Sequence, residues 1–296
     1  MMVEKRISLF NIWNSALLVA VAFICIFPFI HLLALSFSKS SIAAAGEVWL
    51  WPKGFNITSY KFVLSRDAFW RAFMVTIKRS VAGVVINMLL TILAAYPLSK
   101  KTRKFRRRTF YVWIIFFTLL FSGGLIPTYM LVRELKMLDS LWPLLLLPPM
   151  GVPVFNVVIL LNFFRLIPDS IEEAAVMNGA NHVTILWRLY LPMSKAAIAT
   201  LVLFVVVYHW NSWFDGMIYM TRPQNYPLQT YLRSIVIQKG QELKFLSKDQ
   251  IAQMQNISDR TVKAAQIFIA AAPIIFVYPF LQKYFVTGLN IGGVKE

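Results

Sequence analysis

Covalent staples are absent from this chain: its one cysteine, Cys25, has no intrachain partner, so no disulfide frames the fold and no redox compartment is indicated. Histidine is scarce, with only His31, His182 and His209. Neither an HExxH pair nor a paired-carboxylate spacing accompanies them, which removes the usual grounds for a metal-dependent or acid–base enzyme. His209 and Asp215 lie six apart, a separation that sends them to different faces of a continuous helix. No GxxxxGK[ST] loop is present to cradle a nucleotide phosphate. No half of the chain repeats the other, which weighs against a self-contained carrier built from inverted repeats. Charge is also sparse: only 15% of the 296 residues are Asp, Glu, Lys or Arg, too few for the surface of an ordinary soluble domain.

What is abundant is apolar surface, with 58% hydrophobic residues and a mean hydropathy of +0.62. Six runs are long enough to cross a hydrocarbon core of about 30 Å, which takes roughly 20 helical residues. They lie near 13–35, 80–98, 109–132, 141–164, 196–220 and 264–286. The runs are continuous and not alternating, so they predict helices and not barrel strands. The expected fold class is an all-α polytopic membrane protein made of one transmembrane domain spanning 1–296.

Bases exceed acids by 17 charges, and the densest run, Lys100 to Arg108 (KKTRKFRRR), falls in the short link between the second and third runs. Short basic links face the cytoplasm; a nucleic-acid partner is not expected. Six spans then return the chain to its starting side, with both termini inside and Lys5 and Arg6 in agreement. The loops 36–79 and 221–263 fall outside, and the loop 165–195 falls inside. Lys5, Arg6 and the trio Ala43-Ala44-Ala45 resemble parts of a signal peptide, but the apolar run between them exceeds an h-region of about 7–15 residues and is kept as a span. The aromatics of the first outer loop, Trp49, Trp51, Phe55, Tyr60, Phe62, Phe69 and Trp70, suggest short amphipathic pieces at the membrane surface.

Pro127, Pro143, Pro148, Pro149 and Pro153, beside Gly123, Gly124 and Gly151, punctuate the third and fourth runs. Each proline removes a backbone donor, so these helices are expected to kink or break. The inner loop reads PDSIEEAAVMNGANHVTILWRLYLP from Pro168. Asp169 and Glu172 have capping-box spacing at a helix start. Gly179 suits a left-handed turn after that helix, Asn181 suits the cap of a second one, and Pro192 marks the start of the next rigid element. The result is a helical hairpin on the cytoplasmic face, of a size that fits a groove on a soluble partner.

Glu173-Ala174-Ala175, three residues, Gly179, nine residues and then Leu189-Tyr190-Leu191-Pro192 resemble the EAA loop of ATP-binding-cassette importer permeases. Leu189 stands where the family usually has Ile, and Asn178 where many sugar permeases have Asp. The resemblance implies the type I importer permease fold in the bacterial cytoplasmic membrane. It implies that Glu173, Ala174, Ala175, Gly179, Leu189, Leu191 and Pro192 couple the chain to an ATPase. Glu173 would make the polar contact, Gly179 the turn, and Leu189, Leu191 and Pro192 the join to the fifth span. The implied partners are a second permease subunit of a different chain, two cytoplasmic ATPase subunits that use ATP and magnesium, and an extracytoplasmic solute-binding protein. No cofactor is expected on this chain, and no metal. The stretch from Phe116 to Pro148 and the tail from Tyr284 to Glu296 resemble carbohydrate (maltose-type) permeases, the former especially those for oligosaccharides and alginate-type polysaccharide fragments.

The fifth run changes from aliphatic to aromatic and polar after Val207. On a continuous helix Trp210, Phe214 and Met217 share one face, with Asn211 and Asp215 beside it. Aromatic area suits sugar rings, and amide and carboxylate groups suit hydroxyls. Trp210, Asn211, Trp213, Phe214 and Asp215 are therefore the candidate solute-pathway residues, against the competing reading of an aromatic belt with interhelical hydrogen bonds. Asn87 and Thr91 read as interhelical glue. Importers of non-sugar solutes, secondary carriers and membrane scaffolds are the rival functions.

Overall fold

The computed structural model describes residues 9–147, 151–234 and 259–292, with side chains of the last helix described to residue 276. Among the described residues every regular element is helical. The chain divides into two compact units, Met1–Asp67 with Ser234–Ala272 and Ala68–Arg233 with Pro273–Glu296.

The first unit opens with α1, Leu9–Ser36, apolar on every side and exposed from Phe10 to Ile30. A helix with no polar stripe has lipid or another apolar surface as its solvent. The short α2 (Ser40–Ala45) and α3 (Thr58–Leu64) follow. Gly46, in the left-handed region at φ +79°, closes α2 by donating its N–H to the Ala43 carbonyl. Phe37 stacks between Phe55 and Tyr60 at 5.4 and 4.8 Å, while Trp49, Trp51 and Phe55 keep more than two thirds of their surface exposed, as expected of interfacial aromatics.

The second unit is built on α4, Asp67–Ser99. The sequence predicts a span only from residue 80; the helix begins more than three turns earlier and brings Lys78 and Arg79 into its length. The proline and glycine punctuation has its expected effect. The third run divides into α5 (Arg108–Leu120) and α6 (Leu125–Glu134), bent by 108° at Phe121–Gly124. The fourth divides into α7 (Trp142–Leu146) and α8 (Val154–Arg165), with Pro153 just before α8. Pro148 and Pro149 lie outside the described residues. Then come α9 (Asp169–Met177), α10 (His182–Ile185), a π-helical turn Leu186–Tyr190, α11 (Leu191–Met193), α12 (Lys195–Asn211) and α13 (Phe214–Tyr219). The last helix, α14, is Asp259–Gly292. Among the described residues two helices, α1 and α4, are long and apolar enough to cross a membrane singly, or up to five spans if each bent pair counts as one.

The core of the second unit joins α4, α8, the π-turn and α12 through fully buried Ala95, Leu160, Leu201 and Val205. Gly83 lets α4 and α12 approach, because a Cβ there would overlap the buried ring of His209. That ring is pinned at both nitrogens and cannot swing aside. Gly83→Val should therefore lower stability by about 1–3 kcal/mol, the usual range for overpacking. The check is the melting midpoint of the purified protein in detergent, against Gly123→Ala, whose added Cβ meets nothing within 4 Å and should leave the midpoint unchanged.

Candidate functional site

The helix α9 starts where the sequence predicts, but not by a capping box. Pro168 occupies the N-cap, and no side chain caps the first turn. Asp169 is drawn instead into an ion pair with Lys101, and Glu172 points inward, only 3% exposed. Buried carboxylates need compensation, and the chain supplies it from a distance in sequence. Gly179 adopts φ +79° with open space beyond its Cα, so glycine is required there by backbone geometry and not by crowding. Asn181 caps α10 by accepting the Thr184 N–H at 2.8 Å. Glu173 and Ala174 are exposed and Ala175 is half-buried. Val176, Met177, Val183 and Trp187 expose 51 to 86% of their surface along the same hairpin.

Glu172 anchors this hairpin to the rest of the unit. Its Oε2 accepts from Lys100 Nζ at 3.0 Å and from the Tyr190 hydroxyl at 2.7 Å, and its Oε1 lies 3.5 Å from Lys104 Nζ. Lys100 also donates to the Tyr190 hydroxyl at 2.9 Å and sits 4.0 and 4.1 Å from the ring centroids of Tyr96 and Tyr190, where ring faces favour a cation. Burial pushes the Glu172 carboxyl up, but the hydrogen bonds from Tyr190 and Lys100 and the charges of Lys100 and Lys104 outweigh it, and its pKa falls below the ordinary range. For Lys100 burial is the stronger influence and lowers its pKa in spite of Glu172. The ammonium–carboxylate form is the one this geometry fits, since both partners keep charge-assisted bonds. Leu189 and Leu191 pack half-buried against the core, and Pro192 is exposed just after the π-turn.

A second polar centre lies at the interruption of the fifth run. The expected continuous helix ends at Asn211 and restarts at Phe214, so Trp210, Phe214 and Met217 do not form one helical face. The interruption also brings together what a straight helix would separate. Arg79, completely buried, donates from Nε to His209 Nδ1 at 3.3 Å and from a terminal nitrogen to Asp215 Oδ1 at 3.2 Å, and pairs with Asp215 Oδ2. His209 Nε2 meets Asn87 Oδ1 at 2.7 Å, and Asn87 donates to the Leu145 carbonyl at 3.1 Å. Asp215 also accepts from the Ser212 hydroxyl and the Gly216 N–H, each at 2.8 Å. His209 and Asp215 thus meet around one guanidinium. Among the described residues no three His, Cys, Asp or Glu side chains gather as for a metal.

Of the candidate pathway residues, Trp210 is buried edge-to-face on Phe73 at 5.9 Å and Asp215 is committed to Arg79. Asn211 and Phe214 are exposed, and Trp213 carries the Arg233 guanidinium 3.7 Å above its ring. Sequence reasoning missed Arg79, Lys100, Glu172 and Tyr190 as members of these centres. The available signals were a base one residue outside the expected second span and an acid one residue before Glu173. Asn87 serves as interhelical glue, as read; Thr91 bonds back to the Asn87 carbonyl of its own helix.

Residues 87–291 match the family model described as "Binding-protein-dependent transport system inner membrane component". The chain is 38% identical over 288 residues to protein LplC of Bacillus subtilis strain 168, covering 97% of this chain and 95% of that one. It is 36% identical over 287 residues to the polygalacturonan/rhamnogalacturonan transport system permease protein YtcP of the same organism, covering 97% and 98%. Among solved structures it resembles a chain of a bacterial ABC transporter involved in the import of the acidic polysaccharide alginate, with TM-score 0.84 and 32% identity over 96% of this chain and 99% of that one.

Removing one partner of the Lys100–Glu172 pair should cost roughly 3–5 kcal/mol, because the other charge stays buried. The pair Lys100→Met with Glu172→Gln should recover part of that loss, so a double-mutant cycle on thermal stability should give a coupling well above zero; additive losses would dissolve the joint. The pKa of Glu172 is depressed, so its contribution is full above the ordinary carboxylate pKa and is lost as pH falls through the lower folded value. In an acid titration the stability of the wild type should therefore fall as pH drops below the ordinary carboxylate range, and Glu172→Gln should flatten that acid limb.

Proposed function

Because the chain belongs to the family of inner membrane components of binding-protein-dependent transport systems, we propose that α9 and its hairpin are where ATP-driven motion enters this permease. The chain is a multi-pass membrane permease of the ABC importer type with the type I fold, and its role is translocation, while ATP hydrolysis belongs to separate subunits. Its cargo is a carbohydrate, in keeping with relatives named for polygalacturonan, rhamnogalacturonan and alginate. The finer reading is an oligosaccharide or polysaccharide fragment delivered by an extracytoplasmic binding protein, with two ATPase subunits using ATP and magnesium and a second permease chain completing the pathway. Both termini face the cytoplasm in this reading, with the Lys100–Arg108 link on the same side.

One observation supports the coupling role above others: Glu173 and the apolar side chains around it are exposed, while the neighbouring Glu172 is locked into the unit. A docking element needs both properties, an accessible face for its partner and a stiff connection behind it. ATP binding can shift the permease only through a difference in affinity for its conformations, and a loose hairpin would dissipate that difference. Ala174 and Ala175 keep the docking face low, and Leu189, Leu191 and Pro192 carry the connection to α12.

For the solute, we assign Asn211, Trp213 and Phe214 at the α12–α13 interruption to the pathway, with Trp210 and Asp215 shaping it through Phe73 and Arg79. Interrupted spans leave backbone groups unpaired, a situation tolerated in membranes only where they are buried in protein or line an aqueous cavity. A second reading, that the cargo is an acidic saccharide, is favoured by the uronate-rich polymers in two of the matched names.

In proteoliposomes carrying the whole importer, Glu173→Lys and Gly179→Val should reduce ATP-driven uptake at least about tenfold, the loss of roughly 1.4 kcal/mol of coupling, while the complex stays in the membrane. Uptake at the normal level in both would remove the coupling role. Screening saccharides for stimulation of ATP hydrolysis by the complex with its binding protein should show stimulation by uronate oligosaccharides above neutral ones; the reverse order would remove the acidic reading. Trp213→Ala and Phe214→Ala should alter solute-dependent stimulation, and no change in either would remove the pathway assignment.

A further inference from the structure

A cavity of about 240 Å³ lies in the second unit where the ends of α4, α5 and α8 meet the start of α9. Lys100, Lys101, Lys104, Arg108 and Arg165 line it, against only Asp169 and Glu172. Both acids are already used. Glu172 is shared by Lys100 and Lys104, and Asp169 is taken by Lys101. Arg108 gives its Nε to the Leu98 carbonyl at 2.9 Å, and among the described residues neither Arg108 nor Arg165 has an acid within ion-pair distance. The cavity therefore keeps two guanidinium groups unmatched. Guanidinium is the side chain best shaped to take two phosphate oxygens at once. Helix-end dipoles favour Arg165 at the last residue of α8, but they do not neutralise it.

The apolar surface beside the cavity points to the anion. Arg108 is the first residue of α5, and no residue of that helix is buried. Directly after it Phe110, Trp113, Phe117 and Leu120 expose 58 to 72% of their surface, an apolar stripe that begins with an aromatic and suits acyl chains. A phospholipid whose chains lie along that stripe has its phosphate at the height of Arg108. We propose that this cavity binds the phosphate of an anionic phospholipid of the cytoplasmic leaflet through Arg108 and Arg165. The proposal rests on the topology given above, in which the Lys100–Arg108 link is cytoplasmic. A bound lipid then sits against Lys101 and Lys104, which with Lys100 hold Asp169 and Glu172 of α9, and so steadies the root of the coupling helix.

The test is native mass spectrometry of the intact importer purified from mixed phosphatidylglycerol and phosphatidylcholine nanodiscs. The wild type should retain phosphatidylglycerol in preference to phosphatidylcholine, and each of Arg165→Gln and Arg108→Gln should lower that retention by roughly fivefold, the factor expected per base at an anionic surface. Arg165 is exposed at a helix end, so its variant keeps the fold even if the Arg108 variant does not. Arg103→Gln and Arg106→Gln, on the same link but outside the cavity lining, should leave retention unchanged. Equal retention of the two lipids overturns the proposal, as does an equal loss in the Arg103 and Arg106 controls. Displacement of the lipid by millimolar inorganic phosphate would make this a soluble-anion site and overturn the lipid assignment. These lipid counts need no transport, and reporter fusions at the link read the topology separately, so failure of either can be told from failure of the other.

Discussion

A guanidinium with no exposed surface, inside a chain whose solvent is lipid, can persist only if its charge and its donors are matched. Arg79 sets that requirement for the part of the second unit around the α12–α13 interruption. Its carboxylate partner has to come from elsewhere in the fold, and Asp215 arrives only because the fifth run stops at Asn211 and starts again at Phe214. The interruption, the pinned ring of His209, the Asn87 bridge to Leu145 and the glycine at position 83 follow from the same requirement. Unpaired, such a charge would be costly in a low-dielectric interior; paired, it gives little net stability but allows only one arrangement of the helices around it.

A second buried cation, Lys100, sits one residue past the end of α4, 21 positions after Arg79. At about 1.5 Å per residue this separates the two centres by roughly 30 Å, a membrane thickness. This helix thus carries one ionic grip more than three turns from its start, Arg79 on the interrupted fifth run, and another just past its end, Lys100 on the hairpin that exposes Glu173. Between them the helix is packed through Ala95 and Met88 into the core with α8 and α12. Under the coupling role proposed above, movement of the hairpin has a route along α4 to the α12–α13 interruption besides the backbone connection at Pro192.

The sequence carried the helical class, the breaks at prolines and glycines, the left-handed Gly179 and the Asn181 cap, because each depends on local backbone chemistry. It misled where the outcome is decided between distant segments. Glu172 has the spacing of a capping residue, but a buried lysine 72 positions away offers a stronger partner than an N-terminal amide. The polar character of the fifth run after Val207 was legible, whereas the break that divides it contains neither proline nor glycine at Ser212 and Trp213. The break sets Asp215 against Arg79, which lay one residue outside the expected second span. Residues 235–258, most of the loop 221–263, and the tail beyond 292 lie outside the described residues, so readings placed there keep only their sequence basis.

The π-turn at Leu186–Tyr190 is best understood from the residue that follows it. Pro192 has no N–H to offer the Arg188 carbonyl and its ring crowds that oxygen, and the chain responds by widening, so that the Leu191 N–H reaches back five residues to Leu186. An extra residue in a turn advances everything downstream by about 100°. That phase shift turns the Tyr190 hydroxyl onto Glu172 while Leu191 and α12 stay in register with the core. The hairpin and α12 are thus set at their mutual angle by a single residue's worth of slack, and the length of this segment is as much a part of its specification as the side chains it carries.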